Sequence, residues 1–129
     1  MTTLSMTKLV VADLERAKAF YEAVCGVREA QRIKDIVDGG PITELIMEAA
    51  TPGGATLVLF HYHDIPAPAP GGCILVFATD DVDAFVARAE KAGGSVMQPT
   101  TRLPEFGLTY ALVRDAEGHI LEPLCRHAS

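Results

Sequence analysis

Two histidines one residue apart, His61 and His63 in the run FHYHD (residues 60–64), are the side chains best suited to hold a metal ion. On a strand, residues i and i+2 point the same way, so the pair would present two imidazoles together. The other groups suited to proton transfer or charge balance in an apolar setting are Glu122, in GHILEPL, and Lys8, in LSMTKLVV. A carboxyl held among apolar neighbours is a candidate general base. Which of these groups can meet depends on the strands that carry them.

The 129 residues suffice for one domain with a sizeable core. No apolar run approaches the ~20 residues that span a bilayer, and no secretory leader is read, so a cytoplasmic protein is expected. The net charge of −6 is spread along the chain and repels phosphate backbones, which argues against nucleic acid as a partner. Cys25, Cys73 and Cys125 are an odd set without CxxC spacing, so they are read as small buried hydrophobes.

An internal repeat organises the rest. Strand-like LSMTKLVV (4–11) precedes a helical stretch with Asp13 as its N-cap and Gly26 at its end. GCILVFAT (72–79) and DDVDAFVARAEKAGG (80–94) repeat that strand and helix. Three strands are expected after each helix, at roughly 28–36, 42–49 and 55–62 and again at 95–102, 107–114 and 119–124. TPGGATLV (51–58) falls on DAEGHILE (115–122) at an offset of 64 residues, turn on turn and strand on strand. The Pro-Ala stretch DIPAPAPGG (64–72) reads as a semi-rigid link. The expected fold is α+β: two tandem βαβββ modules, about 1–63 and 72–129, in a single domain whose curved mixed sheet surrounds a central cavity.

The stretches VADLERAKAFYEAVCGV, TDDVDAFVARAEKAGGSV and RDAEGHILEPL together resemble the vicinal oxygen chelate superfamily, which includes glyoxalase I, bleomycin-resistance proteins and extradiol dioxygenases. The resemblance covers essentially the whole chain and implies a homodimer. It also implies four ligand positions in the metalloenzymes, which here are Met6, Val58, Ile74 and Glu122. Three of these are apolar, so no metal cofactor is expected. The basic residue by which glyoxalase I holds glutathione corresponds to Val10.

Alternation along the strands puts Met6, Lys8, Val58, Phe60, Tyr62, Ile74, Val76 and Glu122 on the cavity side, with Tyr110 expected there by offset pairing. His61 and His63 then lie on the opposite face, at the rim or against a helix. Lys8 is expected to reach Glu122 and balance its charge. The aromatics Phe60, Tyr62, Phe106 and Tyr110 suit a planar ligand, and Arg102 an anionic one. The preferred reading is a metal-independent small-molecule-binding protein, expected to sequester an aromatic or antibiotic-like ligand. The enzymatic alternative is a glyoxalase-like lyase or isomerase using Glu122 with Lys8, or an atypical metal site.

Overall fold

Both helices start where an aspartate caps them. Asp13 Oδ1 accepts the Arg16 N–H at 3.0 Å, and Asp81 Oδ1 accepts the Ala84 N–H at 3.0 Å. Each cap satisfies a donor that the first helical turn leaves without a partner. In the computed structural model, which describes residues 1–127, they open α1 (Leu14–Cys25) and α2 (Val82–Lys91). Gly26 ends α1 at a φ of 73°, a left-handed conformation that costs glycine little. No helix among the described residues is long and apolar enough to cross a membrane.

The strands are β1 (Met6–Val10), β2 (Arg28–Val37), β3 (Gly40–Glu48), β4 (Thr56–Tyr62), β5 (Ile74–Ala78), β6 (Ser95–Leu103), β7 (Leu108–Arg114) and β8 (Ile120–Arg126). The order βαβββ therefore occurs twice, as the repeat predicts. One short element is new: a 3-10 turn at Pro104–Phe106, started by a proline whose φ is already suited to it. The sheet takes the form of two four-stranded sheets, ordered β1-β4-β3-β2 and β5-β8-β7-β6, that are not joined into one. In each, the first strand pairs parallel with the last and the other pairs are antiparallel. The chain divides into two compact units, one of Met1–Glu22 with Gly26–Ala69, the other of Ala23–Cys25 with the residues from Pro70 onward.

In the first unit, Leu9, Leu45, Met47, Leu57 and Leu59 share one face of the sheet and are buried with Ala17, Phe20 and Tyr21 of α1. Arg32 and Glu29 of β2 lie on that same face by register, opposite Leu45 and Met47. There Arg32 meets Glu15 of α1 at 2.8 Å and Glu29 at 2.9 Å, while Lys18 of α1 meets Glu29 at 3.1 Å. A charged clasp thus fastens an exposed edge strand to the helix. In the second unit Ala111, Val113, Leu121 and Pro123 are buried, as are Val82, Phe85 and Ala89 of α2. Phe77 and Phe85 approach to 5.9 Å between ring centroids.

The cysteines divide. Burial pushes the Cys25 thiol up to about 12, and Cys125 is half-buried. Cys73 is exposed, contrary to expectation, because it stands in the irregular stretch ahead of β5.

Hydrogen bonds from Arg32, then Lys18, hold the Glu29 carboxyl down at about 2, against 4.5 for the free side chain. A lowered folded-state value means that its stabilisation is complete above about pH 4.5 and disappears as pH falls toward 2. Glu29→Gln should therefore unfold more easily than the native chain at neutral pH. The gap should narrow progressively below pH 4.5 and shrink in high salt, as urea titrations at stepped pH would measure.

Candidate functional site

The second face of each sheet, turned away from its helix, carries the candidate residues. In the first unit, Lys8 stands opposite Val58 and Val10 opposite Phe60, while Ile46, Glu44 and Ile42 stand opposite Val58, Phe60 and Tyr62. These registers bring Met6, Lys8, Val58, Phe60 and Tyr62 to one side. Val58 and Phe60 form its floor, being only 1% and 7% exposed. Met6 is exposed and Tyr62 half-buried, with the Tyr62 ring edge-on to Phe60 at 4.9 Å.

The partner of Lys8 is Glu44 of β3, not the Glu122 expected from the sequence. Lys8 Nζ lies 2.7 Å from Glu44 Oε1 and 5.6 Å from the centre of the Phe60 ring. Glu44 is the functional-face residue that sequence reading missed. Its signal was present: it alternates with Ile42 and Ile46 on a strand facing β4.

In the second unit, Ile74 stands opposite Ile120, Val76 opposite Glu122, and Tyr110 opposite Leu124. Ile74, Val76, Glu122 and Tyr110 therefore share one face. It is open: Ile74 is 47% exposed and Val76 59%. Glu122 is half-buried, and no hydrogen-bonding or ion-pairing partner for its carboxylate occurs among the described residues.

The turn DAEGH aims the strand that carries Glu122. Asp115 Oδ1 accepts the N–H groups of Glu117 and His119, each at 2.9 Å, and Asp115 Oδ2 lies 2.8 Å from His119 Nδ1. Gly118 has a φ of 100°, and an added Cβ would come 3.2 Å from Pro70 Cγ. Its positive φ favours glycine, and a side chain there would press on the proline ring. Asp115 and His119 are both 7% exposed, so this pair is a structural knot.

His61 and His63 lie on the helix side of the first sheet. His61 stands opposite Thr43, which stands opposite Lys34 on the face of Arg32. His61 Nδ1 is 3.0 Å from the Val11 carbonyl oxygen, and His63 Nε2 is 2.8 Å from Thr43 Oγ1. Arg102 and Phe106 are exposed beside the 3-10 turn, and Phe106 is 68% accessible.

The glyoxalase/bleomycin resistance protein/dioxygenase superfamily model matches residues 3–122. The chain belongs to that superfamily. It is 32% identical over 123 residues to the mycobacterial protein CFP32 of Mycobacterium bovis, whose name assigns it provisionally to the glyoxylases. That match takes in 95% of this chain but 43% of CFP32, so the chain spans under half the length of this relative. Among solved structures, a glyoxalase family protein of Bacillus cereus shares the fold at a TM-score of 0.83 with 17% identity, over 99% of this chain and 96% of its own. TioX of Micromonospora sp. ML1 is 27% identical at a TM-score of 0.69, with 98% and 100% covered. The fosfomycin resistance protein FosX of Listeria monocytogenes reaches a TM-score of 0.72 at 16% identity, with 97% and 93% covered.

The positions corresponding to the superfamily's metal ligands do not fit a hard or borderline divalent ion in this member. Met6 offers a thioether and Glu122 a carboxylate, while Val58 and Ile74 offer hydrocarbon. Such ions take oxygen or nitrogen donors, and catalytic sites commonly use about three protein ligands. Chemistry that the open face of the second sheet supports is apolar contact, ring stacking on Tyr110 and one charge-assisted hydrogen bond to Glu122.

The Lys8–Glu44 pair is testable. Lys8 is half exposed at its side chain, so the pair should contribute no more than about 1 kcal/mol. A double-mutant cycle with Lys8→Met and Glu44→Gln should return a coupling of roughly 0.2–1 kcal/mol in urea unfolding. Coupling indistinguishable from zero at low salt would remove the pair.

Proposed function

We propose that this chain is a small-molecule-binding member of the superfamily that works without the superfamily's metal. One observation carries the reading: three of the four metal-ligand positions are Met6, Val58 and Ile74, and Val58 is buried at 1% exposure. Side chains that coordinate poorly are good walls for an apolar ligand. The open face of the second sheet supports the same view, with Ile74, Val76 and Tyr110 around a half-buried carboxylate that has no partner among the described residues. Its ligand is a planar or apolar molecule with a cationic or N–H group to meet Glu122. Antibiotic-like compounds have that chemistry, and the net charge of −6 favours cationic ones. The protein is taken to act in the cytoplasm as a homodimer. Exposed apolar residues on the edge strands β1 and β5, Met6, Ile74 and Val76, agree with a second copy.

A second reading, a glyoxalase-like lyase or isomerase, is favoured by the name of the mycobacterial relative and by the Glu122 carboxylate, without a partner among the described residues, as a general base. It loses its proposed Lys8 assistant, whose ammonium is engaged by Glu44.

A thermal-shift titration with planar cationic heteroaromatic compounds, run with and without EDTA, tests the proposal. At a hundred times its dissociation constant a ligand adds about 2.7 kcal/mol of apparent stability. A saturable shift unchanged by EDTA is expected. Glu122→Gln should weaken that binding by about 1.5–3 kcal/mol, roughly ten- to hundredfold in Kd. No shift across the panel, or one abolished by EDTA, would overturn the reading.

A further inference from the structure

We propose that His61 and His63 form a site for a borderline divalent ion, such as Cu²⁺, Ni²⁺ or Zn²⁺, on the helix side of the first unit. This site is separate from the face discussed above. The two residues stand i and i+2 on β4, their side chains on the same face, with ring centroids 5.2 Å apart. They border a concavity of about 390 Å³ whose other charged residues are Asp13, Glu15, Arg32 and Lys34. Two acids and two bases balance there, and Arg32 is already occupied by Glu15 and Glu29.

The hydrogen bonds leave the right nitrogens for coordination. A backbone carbonyl only accepts, so the Val11 oxygen requires the proton on His61 Nδ1, and the neutral ring keeps its lone pair on Nε2. Thr43 is buried at 3% exposure and holds His63 through Nε2. A metal selects the tautomer in which Nε2–H donates to the Thr43 hydroxyl and Nδ1 carries the lone pair. One ring nitrogen bound to protein and the other turned to the ion is the usual outer-shell arrangement of metal-binding histidine. No cluster of three or more histidine, cysteine, aspartate or glutamate side chains suited to a metal occurs among the described residues. Water therefore completes the coordination, and the ion is exchangeable rather than structural. Imidazole donors favour Cu²⁺, Ni²⁺ and Zn²⁺ over Mg²⁺, with Cu²⁺ tightest.

The test is calorimetric titration of the full chain with CuCl₂, ZnCl₂ and MgCl₂, followed by electron paramagnetic resonance of the copper-loaded protein. One Cu²⁺ per chain, a weaker Zn²⁺ isotherm, no Mg²⁺ binding and a copper spectrum split by two nitrogens are expected. His61→Gln or His63→Gln should weaken binding at least about tenfold, and the double variant should abolish it. Thr43→Val, which removes only the outer hydroxyl, should cost about tenfold, as loss of outer-shell partners does. If a histidine variant misfolds, NMR of the native chain decides. Copper must broaden the ring protons of His61 and His63 before those of His119 and His127. Absence of saturable Cu²⁺ binding, binding intact in the double variant, or broadening at other histidines first would overturn the proposal.

Discussion

Side chains on a strand alternate between its two faces, and hydrogen-bonded neighbours lock that parity in place. Everything about the candidate site follows from this constraint. Val58 faces one way with Phe60 and Tyr62; His61 and His63 face the other. A shift of one residue in β4 would exchange the two sets and turn the imidazoles to the side that Val58 now occupies. That shift is resisted on both flanks. β4 pairs in parallel with β1 and antiparallel with β3, and a slip would also turn Leu57 and Leu59 away from the helix-side core.

The same parity separates apolar recognition from charge. In the first unit, the Lys8 ammonium on the second face is held by Glu44, on the strand beyond β4, and the two charges largely cancel. In the second unit, Glu122 stands beside exposed isoleucine and valine, and its carboxylate has no partner among the described residues. A buried or half-buried charge gains most from a partner that brings its own counter-charge or hydrogen. The turn at Asp115 and Gly118 sets where β8 begins and thereby which side of the sheet Glu122 faces.

Much of the fold was legible because its signals are local. Asp13 and Asp81 announce helices by their position, Gly26 announces an end, and the strands read as apolar runs between turn residues. The placement of the histidines was equally legible, since alternation needs no knowledge of the partner strand. What escaped the sequence was pairing. Lys8 finds Glu44 because β3 lies next to β4, which lies next to β1, an order that no stretch of residues contains by itself. Exposure of Cys73 and burial of Asp115 with His119 escaped for the same reason, because both depend on what packs against an irregular segment.

The central proposal is that a chain with Met6, Val58 and Ile74 at three of the four ligand positions that the resemblance implies does not take up the superfamily's ion. The most direct measurement is calorimetric titration of Mn²⁺, Ni²⁺ and Zn²⁺ into a chain with His61 and His63 both replaced by glutamine. The account predicts no saturable binding of any of the three ions. One ion bound per chain, and lost when Glu122 is also changed to glutamine, would contradict it.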